Sequence, residues 1–125
     1  MPAQPGATAA VDLVVTDDDT AVALGSGDVS VLGTPRILAL AEEACCRAIV
    51  ESLGADETTV GMRAQLDHLA PVKVGSKVFA EATLEKIEGR RLVFTVSVTD
   101  ECGLVAAGRL TRVVVRRAEF LDKAR

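Results

Sequence analysis

An α+β fold, one long helix set against an antiparallel sheet of five or six strands, is predicted by three features of this sequence. A single stretch from Gly33 to Gly54 carries the marks of a helix at both ends. Beyond it the hydrophobic period changes from 3.6 residues to 2. Four alternating segments follow, separated by tight turn signals, which is the pattern of an antiparallel meander packed on a helix.

The 125 residues read as a single domain over 1–125, with 1–9 as a loose tail rich in Pro, Gly and Ala. Hydrophobic residues make up 49% but aromatic ones only 2%, so the core must be built from Val, Leu, Ile and Ala. Trp and Tyr are absent, which removes the stacking platforms of single-strand nucleic acid binders, and a net charge of -4 argues against duplex binding. Cys45, Cys46 and Cys102 form no CxxC pair, and His68 is the one histidine, so no metal-ligand spacing and no cofactor motif is present. Unpaired cysteines suit a reducing cytoplasm. The first residues lack a basic, apolar leader pattern, and no 18-residue apolar run suggests a membrane span.

Taken in order, Ala10 to Thr16 is apolar and β-branched enough for a strand. Asp17-Asp18-Asp19 reads as a solvated turn, Thr20 to Leu24 as a brief extended piece, and Gly25 to Asp28 as a loop leading through Val29-Ser30-Val31-Leu32 to the helix. Thr34 suits the N-cap, Pro35 the first helical position, and Gly54 the left-handed closing residue. At about 100° per residue, Arg36, Glu43, Arg47 and Glu51 share a polar stripe, where Glu43 and Arg47 can pair. Glu42 stands apart, among Leu38, Cys45, Ile49 and Leu53. Either it lies at the exposed edge of the buried face, or it is a functional carboxylate facing a pocket.

From Thr58 to Leu69, alternation puts Val60, Met62, Ala64, Leu66 and His68 on one face and Thr59, Gly61, Arg63, Gln65 and Asp67 on the other. His68 thus continues an apolar face, either as a core histidine bonded to a carbonyl or as a working imidazole. Pro71 ends the strand. Three further strands, Ser76 to Ile87, Arg91 to Thr99 and Leu104 to Arg116, are joined by Glu88-Gly89 and Asp100-Glu101-Cys102-Gly103, and Ala118 to Arg125 adds at most a helical turn. So small a chain leaves part of its sheet bare, which predicts a homodimer, or a tetramer built from one.

Several short motifs give this layout a family resemblance. Val31-Leu32-Gly33-Thr34-Pro35 with Glu42 following, Thr59-Val60-Gly61 leading to His68-Leu69-Ala70-Pro71, Glu88-Gly89-Arg90-Arg91-Leu92-Val93-Phe94, and in part Gly108-Arg109-Leu110-Thr111-Arg112 resemble the hot dog fold thioesterases, within them the family that includes fluoroacetyl-CoA thioesterase. The resemblance covers roughly residues 10 to 120. It implies a sheet wrapped around one central helix, a catalytic set of Thr34, Glu42 and His68, and substrate contacts at Gly33, Gly61 and Arg112. Leu110 stands where relatives carry a histidine, and Ser26 to Leu32 lacks their aromatic lid, so a different or broader acyl group is expected.

The expected activity is hydrolysis of a small or medium acyl-CoA thioester to the free acid and CoA. His68 would be the general base, Glu42 would orient its ring, and Thr34 would be either the nucleophile or the group that positions water. Arg109, Arg112, Arg116 and Arg117 are candidates for the CoA phosphates, or else a charged, solvated edge. A hot dog fold hydratase or dehydratase and a non-catalytic acyl-CoA binding module are the competing readings.

Overall fold

The computed structural model describes residues 3–125. Strand β1 (Thr8–Val14) comes first, then a 3-10 turn at Asp17–Asp19 and a short helix α1 (Ala21–Leu24). The central helix α2 (Thr34–Ile49) ends in a 3-10 turn at Val50–Ser52. Strands β2 (Glu57–His68), β3 (Lys77–Glu88), β4 (Arg91–Asp100) and β5 (Gly103–Arg116) follow, and helix α3 (Arg117–Asp122) closes the chain. The strands form one antiparallel sheet in the order β1-β3-β4-β5-β2. Its five strands settle the expected five or six.

Helix α2 buries Ile37, Leu40, Ala41, Ala44, Cys45 and Ile49 against the inner side of the sheet. The sheet answers with Val78, Ala80, Ala82 and Leu84 from β3 and Phe94, Val96 and Val98 from β4. Alanines on both sides of this contact are fully buried, which lets the sheet curl close around the helix. Phe94, also fully buried, contributes about 1.5–3 kcal/mol relative to an exposed side chain.

Several local expectations change. The N-cap of α2 is Gly33, and Thr34 is the first helical residue. A Cβ at position 33 would lie 3.1 Å from both the Cα and the amide nitrogen of Ala21, a tight contact that α1 must yield slightly to admit and that favours glycine there. Thr20 to Leu24 is not extended: Thr20 Oγ1 accepts the Ala23 N–H and caps α1. Strand β1 starts at Thr8 and the Gly6 amide bonds to Leu84 O, so the tail is shorter than 1–9; its first two residues lie outside the described ones.

The largest departure is in β2. Its register against β5 runs Gly61 to Arg112, then Arg63 to Thr111 and Ala64 to Leu110, so Met62 is an extra residue in a bulge. Arg112 and Leu110 are both buried, which puts their partners Gly61 and Ala64 on the same inner face. Thr59 and Gly61 therefore share the face of Ala64, Leu66 and His68, where strict alternation had set them apart. β2 is also an edge strand, and residues 61–65 are exposed.

Candidate active site

Two elements meet at the start of α2. Because Gly33 takes the cap position, the Thr34 side chain makes no cap bond and is free to point elsewhere. It lies 2.8 Å from Nδ1 of His68, the last residue of β2. On the other side of the ring, Nε2 is 3.1 Å from the Ala70 carbonyl, which can only accept. In the neutral ring Nε2 therefore carries the proton, and Nδ1 accepts from the Thr34 hydroxyl. The two competing uses of this hydroxyl, capping and chemistry, do not collide.

The backbone around Thr34 is nearly all committed. The Gly33 amide donates to Asp19 O, and the Arg36 and Ile37 amides both donate to Gly33 O. Gly33, expected as a substrate contact, thus spends its N–H and its carbonyl inside the chain. Pro35 has no N–H. Among the described residues the Thr34 amide meets no acceptor, which leaves one donor beside the hydroxyl at the positive end of the helix.

Asp19 anchors this arrangement and is not the solvated turn residue expected. It is 8% exposed, its Oδ2 accepts from the Thr16 amide and hydroxyl, and its Oδ1 accepts from Arg36 Nε at 3.0 Å. Burial, the largest single influence, pushes its carboxyl up, but the Thr16 donors and the Arg36 guanidinium together hold it below the ordinary 3.8. Sequence reasoning missed this residue, although Thr16 three places before Asp19 is a readable capping-type spacing.

Glu42 lies on the apolar side of α2, as the helical wheel indicated, with its side chain 37% exposed, and it does not touch His68. Its Oε2 is 2.7 Å from Arg112 Nη1. Arg112 is 8% exposed, and its other nitrogens donate to Thr59 Oγ1 and Thr59 O, both at 3.0 Å. In this chain the guanidinium, expected as a substrate contact, is engaged by Glu42 and Thr59. Eight residues along α2 amount to about 12 Å, so His68 held at Thr34 is beyond reach of Glu42 of the same chain, and the ring is oriented by Ala70 O instead. Glu42, Gly61 and Arg112 line a separate cavity of about 220 Å³ beneath the exposed middle of β2. A Cβ on Gly61 would fall 2.7 Å from Glu42 Oε2, so a larger residue there would make the carboxylate shift from its present position.

The arginines expected to form one cluster do not. Arg109 pairs with Glu85 at 3.1 Å and Arg116 with Asp56 at 2.7 Å, both on the exposed surface, while Arg112 points inward. Among the described residues no group of three or more His, Cys, Asp or Glu side chains could hold a metal ion.

A curled antiparallel sheet around one central helix is a hot dog architecture, and here a threonine and a histidine are bonded at the helix start. The comparisons agree. The sequence model described as fluoroacetyl-CoA-specific thioesterase matches residues 15–118, and the chain belongs to that thioesterase family. The fluoroacetyl-CoA thioesterase of Streptantibioticus cattleyicolor is 33% identical over 95 residues, 76% of this chain and 68% of that protein. A crystal structure of the fluoroacetyl-CoA thioesterase FlK superposes with a TM-score of 0.93 at 28% identity, covering 98% of this chain and 96% of that one. A thioesterase superfamily member from Thermus thermophilus gives 0.89 at 29% identity, covering 97% and 90%. A hot-dog-like protein from Thermanaerovibrio acidaminovorans gives 0.86 at 26% identity, covering 95% and 87%.

Proposed function

We propose that this protein is an acyl-CoA thioesterase that hydrolyses a small or medium acyl-CoA to the free acid and CoA, using Thr34, His68 and Glu42. The observation that carries the reading is the bond from the Thr34 hydroxyl to Nδ1 of His68, beside an unpaired amide at a helix N-terminus. The imidazole takes the hydroxyl proton as Oγ1 attacks the thioester carbonyl, and the Thr34 N–H receives the developing oxyanion. The imidazolium then returns the proton to the departing CoA sulfur. Water, deprotonated by the same ring, cleaves the acyl-threonine ester and releases the acid. The direct bond favours Thr34 as nucleophile over a water-positioning role.

Relatives support the substrate class: one FlK structure is a complex with fluoroacetate and CoA. For this chain we favour a different or broader acyl group, because Ser26 to Leu32 holds no aromatic side chain. Glu42 enters through a second copy. If two chains pair antiparallel through the bare β2 edge, about a twofold axis near Ala64, His68 of one lies opposite the Val60–Gly61 segment of the other. The Arg112-held carboxylate beneath Gly61 then faces the neighbouring Thr34–His68 pair. Three free cysteines support a reducing, cytoplasmic setting, and no helix among the described residues is long and apolar enough to cross a membrane.

The test is thiol release from a panel of acyl-CoA esters. His68→Ala should lower turnover by about 10²–10⁴-fold with the fold intact. Full turnover in that variant would remove the proposed base, and loss of enoyl-CoA absorbance without thiol release would assign the hydratase chemistry instead.

A further inference from the structure

We propose that the cavity between the β2–β3 connection and the β4–β5 turn holds the phosphorylated nucleotide end of the substrate's CoA, with Lys73 and Lys77 as its cations. This rests on the acyl-CoA reading above. The cavity has a volume of about 770 Å³ and is lined by Val31, Pro71, Lys73, Lys77, Phe79 and Cys102 among others. That volume is within the range of small-molecule sites. Its neighbour, about 200 Å³, is lined by Val31, His68, Leu69, Ala70 and Pro71. Val31 and Pro71 line both, so the larger space adjoins the one at His68, where the reacting carbon would sit.

The cations are available there. Among the described residues Lys73 makes no ion pair, and Lys77 has only Asp12 at 3.8 Å, with both side chains about half exposed (51% and 56%). Such a pair is weak and yields readily to a phosphate. Lys77 Nζ also stands 5.4 Å from the centre of the Phe79 ring, which is 46% exposed and leaves apolar surface for a base.

The segment carrying Lys73 is fixed in advance. Val31 and Lys73 form an antiparallel bridge, the Leu32 amide donates to Val72 O at 2.8 Å, and the Gly75 amide donates to Val15 O at 2.8 Å. A site held this way spends little ordering entropy on binding. The same cavity carries two acids on the β4–β5 turn. Asp100 Oδ1 is occupied by the Cys102 and Gly103 amides at 2.9 and 3.1 Å, whereas Glu101 makes no ion pair among the described residues. Phosphates therefore follow the lysine side, on the segment that continues from His68, and Glu101 opposes them.

The charge pattern gives a test with a sign. Two thioesters of one acyl group are compared, one on CoA and one on N-acetylcysteamine, which lacks the nucleotide. Lys73→Gln and Lys77→Gln should each raise KM for the CoA ester by roughly two- to fivefold, the scale of a screened ion pair, and leave the short thioester unchanged. Glu101→Gln should lower KM for the CoA ester alone. In the wild-type protein, adenosine 3′,5′-bisphosphate should slow alkylation of the exposed Cys102 by iodoacetamide. Equal effects of the lysine variants on both thioesters, or Cys102 alkylation unaltered by saturating nucleotide, would overturn the assignment. Failure of the thioesterase reading looks different: neither ester is hydrolysed, and the alkylation experiment still decides whether the cavity takes the nucleotide.

Discussion

Gly61 and Glu42 show how one missing methyl group shapes this protein. The carboxylate lies where a side chain at position 61 would begin, and Arg112 holds it there at 2.7 Å. Gly61→Ala must push Oε2 aside and lengthen that bond, so it should destabilise the fold by about 1 kcal/mol, read as a lower urea midpoint, and lower turnover as well. Glu42→Gln should lower turnover strongly, whereas Glu43→Gln, which loses only its exposed pair with Arg47, should not. Wheel geometry alone picks out Glu42, because a carboxylate among Leu38, Cys45 and Ile49 is conspicuous in any sequence. Its partner is not visible there: Arg112 lies 70 positions away, and the Met62 bulge hides the fact that Gly61 faces inward. Cys45 next to them is fully buried, and burial first of all, opposed by Arg112, pushes its thiol up to about 12. At pH 8 it should therefore resist iodoacetamide in the folded protein while Cys102 reacts, as mass mapping of the labelled chain can check.

At the scale of the element, the start of α2 is the part that sequence rules describe nearly right and wrong by one residue. Thr34-Pro35 announces a helix start, and a helix does start there. The preference for threonine at the cap gives way to tertiary packing, since the close approach of Ala21 favours glycine at that position. That shift releases the Thr34 hydroxyl to His68. Asp19 stabilises the whole junction by binding Arg36 through its side chain and Gly33 through its carbonyl. Because its folded pKa lies below the ordinary 3.8, its contribution is fully present above that value and is lost as pH falls through the folded pKa. Asp19→Asn should destabilise the protein by about 1–3 kcal/mol at neutral pH. It should also flatten the acid limb of the stability curve below about pH 4, measured by thermal melts across pH. A variant with the wild-type acid limb would show that the junction draws nothing from this charge.

At the scale of the whole molecule, the groups proposed to work together fall into two sets that one chain keeps apart. Thr34 and His68 stand at the start of α2, and Glu42 with Arg112 stands about 12 Å further along it. The alternating strands and the long helix are legible from hydrophobic period, and a bare sheet edge follows from so few strands around one helix. The period does not say which edge is left open, since that depends on β1 joining β3 at the far side. If β2 pairs with β2 of a second copy, each site is assembled from both chains, and this has a quantitative consequence. His68→Ala spoils the imidazole of one site and Glu42→Gln spoils the carboxylate it lends to the other. In a mixed dimer of the two variants both defects fall in the same site, and the second site is wild type. Refolding the two inactive proteins together should recover about a quarter of wild-type turnover, since half of the dimers are mixed and each has one intact site of two. Recovery requires Glu42 to act across the subunit boundary. If the mixture stays inactive although native mass spectrometry resolves mixed dimers by their intermediate mass, the carboxylate does not act across the subunit boundary.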